Sequence, residues 1–338
     1  MLSKYLEIVE KGIVVVKNEE VNADDLGPNE AIIQNETSVI SAGTELSRVF
    51  ALKPGVTYPV RPGYASIGRI LQKGSALVDY EVGESVFYLG NHASLLRFTG
   101  NGVEEWNHFF KVPEGLDSVE APLACMIGIA LTGPNDCEVK IGDSVAVFGL
   151  GVVGLLAALL YQINGARVIG LDPVESRCEL AKALGIRETI ACAPVEQAEA
   201  VKALTDGLGA DIGVDAVGQS SVIATAIQAT RPYGQVVLLG TPRAAAEGNL
   251  TDIFNPIHMK MLTVRGALAA NAVPLKPTPG FKLSFERNYR TAFELMLNKQ
   301  IDASKIISHV IRPEEAEAAY HGLYYDKEHY RCVVIDWR

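Results

Sequence analysis

Hydrophobic positions along this chain follow two patterns. Between about residues 143 and 267, short, mostly apolar runs fall at 145–148, 167–171, 211–218, 234–240 and 262–267. Mostly apolar runs of this length suit strands buried on both faces. Between them, 155–161, 175–184 and 222–229 read as helices, the second with apolar or small residues at 180, 181, 183 and 184 and a stop at Gly185. Strands alternating with helices predict a parallel, doubly wound sheet, whose ligands bind beyond the carboxyl ends of the strands.

Residues 1–122 are patterned differently. Short β-type runs at 13–17, 31–38, 66–72, 85–89 and 108–112 are separated by Gly, Pro, Asn and Asp, which predicts an antiparallel, barrel-like domain. The tail holds a Pro-rich loop at 271–280, a helix at 289–297 and a last strand at 330–336. Its most economical place is back on the first domain. The expected division is therefore 1–122 with 269–338 as one domain and 123–268 as the other.

The first apolar run of the α/β part leads into Gly149-Leu150-Gly151-Val152-Val153-Gly154, and the next strand ends in Asp172. A GxGxxG alone is weak. Set between a strand and a helix, with an acidic residue after the following strand, it reads as a dinucleotide-binding fingerprint. Gly149 permits the tight turn, Gly151 lets backbone approach a pyrophosphate, and Gly154 lets helix pack on strand. The helix N-terminus at Val152 and Val153 offers N–H groups to phosphate. Asp172 accepts hydrogen bonds from ribose hydroxyls and repels a 2′-phosphate, so NAD(H) is expected over NADP(H). Arg177 is counted with this cofactor set, as are Ala216, Val217, Gly218, Gly240 and Thr241 at later strand ends.

Composition narrows the function classes. The 338 residues are 48% hydrophobic, enough for a sizeable core, and the net charge of −10 argues against nucleic acid or an anionic membrane as partner. The N-terminal stretch has interleaved charges and no apolar run, so no signal peptide is expected. The five cysteines are odd in number and lack CxxC spacing, which fits reduced thiols in a cytoplasmic protein.

Beyond these motifs, residues 139–149 (VKIGDSVAVFG) and 111–116 (KVPEGL) resemble the medium-chain dehydrogenase/reductase superfamily of the zinc alcohol dehydrogenases and quinone reductases. The resemblance implies a GroES-like β-barrel catalytic domain, a Rossmann domain and an active site in the cleft between them. It also implies a small-molecule substrate and a homodimer or tetramer built by pairing the last Rossmann strand, from about Thr263 to Ala267, with its copy.

The zinc ligands of that family are what this sequence lacks. Where the family has Cys-Gly-Thr-Asp, this chain has Ala42-Gly43-Thr44-Glu45, and where it has Gly-His-Glu, this chain has Gly63-Tyr64-Ala65. Only Cys125 matches the third ligand, and residues 88–111 hold no cysteine for a structural zinc lobe. A catalytic zinc needs about three protein ligands, so no zinc is expected. Without a metal, charge developing on a substrate oxygen needs a donor. Tyr64 either donates its hydroxyl or only fills the metal's space, and Thr44 matches a proton-relay position or bonds its own turn. Glu45 is a general base or the structural partner of Arg48 or Arg69. His92 exchanges protons near neutral pH or faces solvent in a turn. Cys125 reads as a buried small residue, and His108, Trp106, His309, His321 and His329 as surface or packing.

The first expectation is a zinc-independent NAD(H) dehydrogenase acting on a secondary alcohol or ketone. A quinone or enoyl reductase and a non-catalytic NAD-binding protein are the alternatives.

Overall fold

The computed structural model describes residues 1–100, 108–242, 247–269 and 273–338; Trp106 and Asn271, at the head of the Pro-rich loop, lie outside the described residues. The chain divides into two compact units, Met1–Cys125 with Tyr289–Arg338, and Met126–Asn288.

In the first unit, β1 (Leu2–Glu10) and β2 (Ile13–Glu20) form an antiparallel hairpin. The strands β3 (Glu30–Val39), β4 (Ala65–Lys73), β5 (Ser85–Leu89), β6 (Leu95–Thr99) and β7 (Phe110–Lys111) follow, and β14 (His309–Ile311) and β15 (Val333–Asp336) come from the carboxyl-terminal segment. They make one sheet of order β14-β15-β3-β4-β5-β7, with β6 also on β3. The segment from Tyr289 onward lies in this unit, where Val334 pairs with Val39, whereas residues 273–288 of the expected tail group with the second unit. Alternation buries one side of the sheet under Ile33, Ile70, Val86, Tyr88 and Phe98. A second cluster joins Leu6 and Ile8 of the hairpin to Val49, Phe50 and Tyr320.

Two helices of this unit were not legible in the apolar spacing. Ala42–Val49 is polar apart from a narrow face, and Ala316–Tyr325 contributes Ala319, Tyr320 and Leu323 to the core.

The second unit is the doubly wound sheet. Its strands β8 (Ser144–Phe148), β9 (Arg167–Asp172), β10 (Glu188–Ala191), β11 (Ala210–Asp215), β12 (Thr230–Leu238) and β13 (Thr263–Gly266) are all parallel, in the order β10-β9-β8-β11-β12-β13. The central β8 is buried along its whole length. The helix Val152–Ile163 after it is buried on nearly every side from Gly154 to Tyr161, which explains its continuous apolar sequence. The strand order reverses between β9 and β11, on either side of β8, and there the carboxyl ends open a crevice. No helix among the described residues is long and apolar enough to cross a membrane.

Candidate active site: a glycine loop and a buried carboxylate network

The glycine loop leaves β8 at the switch point. Gly149 has φ +93°, a region that favours glycine, and its N–H donates to the Leu171 carbonyl at 2.7 Å. A Cβ on Gly154 would sit 1.9 Å from the Gly149 carbonyl oxygen, so this position is closed by packing of helix on loop. A Cβ on Gly151 would meet nothing within 4 Å. The loop is therefore open at the position where backbone must approach a phosphate, with Val152 and Val153 in the first turn behind it.

Asp172, 2% exposed at the end of β9, is tied to this loop. Its Oδ2 accepts from Leu150 N at 2.8 Å and from Arg177 Nη1 at 3.2 Å, and its Oδ1 accepts from Val174 N at 2.9 Å. A carboxylate has about four lone-pair sites, so acceptor capacity is left for a ribose. Nε of Arg177 is buried without a hydrogen-bond partner among the described residues. An open Gly151, a carboxylate with spare capacity and an orphaned buried donor together fit a dinucleotide.

The later strand ends are closed by backbone contacts. Asp215 accepts from Val217 N and Gly218 N, Ala216 N donates to the Phe148 carbonyl at 3.0 Å, and a Cβ on Gly218 would lie 2.1 Å from the Thr241 carbonyl oxygen. Gly240 has the same constraint against Gly218 N. These glycines serve the close approach of β11 and β12 at the mouth of the crevice.

In the first unit, the segment where the family's metal ligands would stand takes an unexpected form. Glu45 and His92 are fully buried and bonded to each other, His92 Nε2 to Glu45 Oε2 at 3.0 Å. Tyr320 donates to the same oxygen at 2.6 Å, and Ser41 N donates to Oε1 at 2.6 Å. His92 Nδ1 meets Ser38 Oγ at 2.8 Å, and Trp337 Nε1 donates to that Oγ at 2.9 Å. Burial, then the neighbouring Glu45, pushes the Tyr320 phenol well above its usual range, so it stays a donor.

Several sequence expectations change here. Glu45 does not pair with Arg69, which bonds Glu36 at 2.6 Å; its partners come from distant chain. His92 is not a solvent-facing turn histidine. Thr44 is exposed in the first turn of Ala42–Val49, and Tyr64 is half-buried just before β4. Cys125 is buried, as read from sequence. The other histidines singled out from the sequence have partners: His321 Nε2 with the Gly12 carbonyl at 2.8 Å, His329 with Asp326, His309 stacked on Tyr330, and His108 edge-on to Phe110. Ser38, Tyr320 and Trp337 were missed, since nothing local marks a polar residue whose partner is hundreds of positions away. No group of three or more His, Cys, Asp or Glu that could hold a metal occurs among the described residues.

Comparison with known proteins places these features. Residues 152–278 match the family model "Zinc-binding dehydrogenase". The chain is 26% identical to D-guloside 3-dehydrogenase of Escherichia coli K12 over 76% of its length and 72% of that protein. It is 27% identical to an uncharacterised zinc-type alcohol dehydrogenase-like protein of Haemophilus influenzae, over 89% of each chain. Alcohol dehydrogenase TADH from Thermus sp. ATN1 has the same fold, with a TM-score of 0.76 at 24% identity over 98% of this chain and 99% of that one. Galactitol-1-phosphate dehydrogenase from Escherichia coli superposes with a TM-score of 0.80 at 19% identity, covering 98% and 99%. The glycine loop, the sheet order and these likenesses converge on an NAD(P)-dependent dehydrogenase/reductase similar to the medium-chain, zinc-type alcohol dehydrogenases.

Proposed function

We propose that this protein is a zinc-independent, NAD(H)-preferring dehydrogenase that interconverts a secondary alcohol of a polyhydroxylated substrate and the corresponding ketone. The observation that carries the zinc-independent part is the donor set around Ala42. Ala42 offers no ligand atom, and Glu45, the carboxylate of that segment, commits both oxygens to hydrogen bonds. Tyr64 and Cys125 do not complete a three-ligand site. The residues present do not fit a catalytic zinc.

The nicotinamide, when bound, supplies the hydride acceptor or donor. The protein's part is binding and proton handling. Gly151, Val152 and Val153 face the pyrophosphate, and Asp172 with Arg177 takes the adenosine ribose. The carboxylate of Asp172 disfavours a 2′-phosphate at the same place, which supports NAD(H).

On the substrate side, the Tyr64 hydroxyl donates to the oxygen that carries developing negative charge. Thr44 Oγ1, exposed in its turn, takes the alcohol proton and passes it to water. The activity for which D-guloside 3-dehydrogenase is named supports a polyol-like substrate. The exposed strand Thr263–Gly266, at the edge of its sheet, supports pairing with a second copy.

The test is a steady-state screen of polyols and sugars with NAD, and of ketones, quinones and enones with NADH. Turnover confined to the polyols and ketones is expected. Turnover confined to quinones or enones would replace this reading with a C=C or quinone reductase, and NAD binding without any turnover would replace it with a non-catalytic protein.

A further inference from the structure

Five side chains from separate parts of the first unit form one hydrogen-bonded network around Glu45. Ser38 comes from β3, Glu45 from the helix Ala42–Val49, His92 from the turn after β5, Tyr320 from the helix Ala316–Tyr325, and Trp337 from just beyond β15. Four of them are among the most buried polar groups of the molecule, and Trp337 is partly buried.

The donor chemistry orients the chain of bonds. An indole N–H can only donate, so Ser38 Oγ accepts from Trp337 while also meeting His92 Nδ1. A carboxylate oxygen only accepts, so the hydrogen between His92 Nε2 and Glu45 Oε2 sits on Nε2. Tyr320 gives a second hydrogen to Oε2, and Ser41 N gives one to Oε1. The carboxylate is thus buried with three donors.

A buried polar network of this kind is rarely the most stable way to fill a core. What it adds is position. Through Oε1 it closes the turn at the start of Ala42–Val49, where Ser41 O also accepts from Thr44 N at 3.0 Å and Glu45 N at 2.8 Å. Through His92 it reaches the other segment: His92 N donates to the Pro62 carbonyl at 2.9 Å, and a Cβ on Gly63 would lie 2.3 Å from Asn91 Cα. Gly90 N donates to the Tyr64 carbonyl at 3.2 Å. One carboxylate therefore joins the turn that carries Thr44 to the backbone that carries Tyr64.

We propose that Glu45, His92 and Tyr320 form a positioning network that holds the Thr44 turn and the Tyr64 segment in register for the reaction, the task that shared metal coordination would otherwise perform. This rests on the roles given above to Thr44 and Tyr64. None of the three touches substrate in this account; they act through the two hydroxyl-bearing segments.

The experiment uses the full chain with Tyr320→Phe, Glu45→Gln and the double variant. Measured quantities are kcat, KM, NADH affinity by fluorescence titration, and amide hydrogen exchange over residues 41–49 and 62–65. Expected are a loss in kcat of about tenfold or more, little change in KM or NADH affinity, and faster exchange in both segments in each single variant. The double variant should lose scarcely more than either single one, because both changes break one network. Tyr320→Phe removes a single hydroxyl, and it decides the matter if Glu45→Gln does not fold.

Unchanged kcat with a lowered unfolding midpoint would make the network a purely structural one and overturn the proposal, as would lost kcat with unchanged exchange. A wild-type enzyme that reduces only quinones or enones would refute the polyol reading yet leave the network testable on that activity. A wild type with no turnover at all would overturn both.

Discussion

Tyr320 donates its phenolic hydrogen to Oε2 of Glu45 at 2.6 Å, across 275 positions of sequence, with both residues sealed from solvent. The carboxyl-terminal segment thereby anchors the first helix of the chain. This bond is also a stability element that can be measured alone. Tyr320→Phe is expected to cost about 1–3 kcal/mol, because a buried carboxylate loses a donor. Glu45→Ala should cost more, since His92, Tyr320 and Ser41 N would all lose their acceptor. Urea unfolding at neutral pH gives both numbers, and a Tyr320→Phe variant as stable as wild type would remove the bond from the stability account.

Gly151 and Gly154 of the glycine loop predict opposite phenotypes. Gly151→Ala places its methyl in open space on backbone that alanine accepts, with φ −61° and ψ 176°. It should leave thermal stability unchanged and weaken NADH binding, since the methyl stands where pyrophosphate approaches. Gly154→Ala drives a methyl into the Gly149 carbonyl and should destabilise the fold by several kcal/mol or prevent folding, on the order of the larger overpacking costs. Differential scanning calorimetry beside an NADH titration separates them. Equal behaviour of the two variants would contradict this division of labour.

Asp172→Gly is expected to weaken NADH binding and relax the bias against NADPH. The structure adds a complication: Asp172 also holds Leu150 N and Val174 N. Asp172→Asn, which keeps an acceptor for the loop while removing the charge, is the cleaner variant. Its ratio of NADH to NADPH affinity should fall; a ratio equal to wild type would take Asp172 out of cofactor choice.

Tyr64→Phe tests the donor assignment. It should lower kcat with little effect on NADH affinity, and full activity would leave the ring as filler. Elemental analysis of the purified protein complements it. Less than stoichiometric zinc, and activity that survives a chelator, are expected; one tightly held zinc per chain would refute the donor-set argument.

Alkaline pH should destabilise the fold through groups buried in neutral form. Burial pushes the Cys332 thiol up from 9.0 to about 12, and Tyr161 and Tyr320 well above 10.0. The unfolded chain deprotonates Cys332 as pH passes 9.0 while the folded chain keeps its proton, so stability is whole below that value and declines from there towards 12. Urea midpoints at pH 7, 9 and 10 should fall in that order, and Cys332→Ala should flatten the decline.

Much of the second unit was readable in advance because its information is local. The apolar run 145–148, the glycines and Asp172 lie within one βαβ unit, and each residue type is demanded by a neighbour inside that unit: Gly154 by the Gly149 carbonyl, Asp172 by Leu150 N. The bounds of the strands read from sequence moved by a few residues: β12 begins at Thr230 rather than 234, ahead of the exposed Arg231, Pro232 and Tyr233, and β10 was not foreseen.

The sequence by itself determined the sheet type, the glycine loop and the acidic residue beside it. It could not decide what Glu45 and His92 do. Each was compatible with a surface role, because a side chain's partner is set by whichever part of the chain folds over it. Only the tertiary structure brought Tyr320, Ser38 and Trp337 to that point, through the return of β15 onto β3. Burial then made every unpaired polar atom costly, and that cost selects one mutual arrangement of residues spread from position 38 to 337.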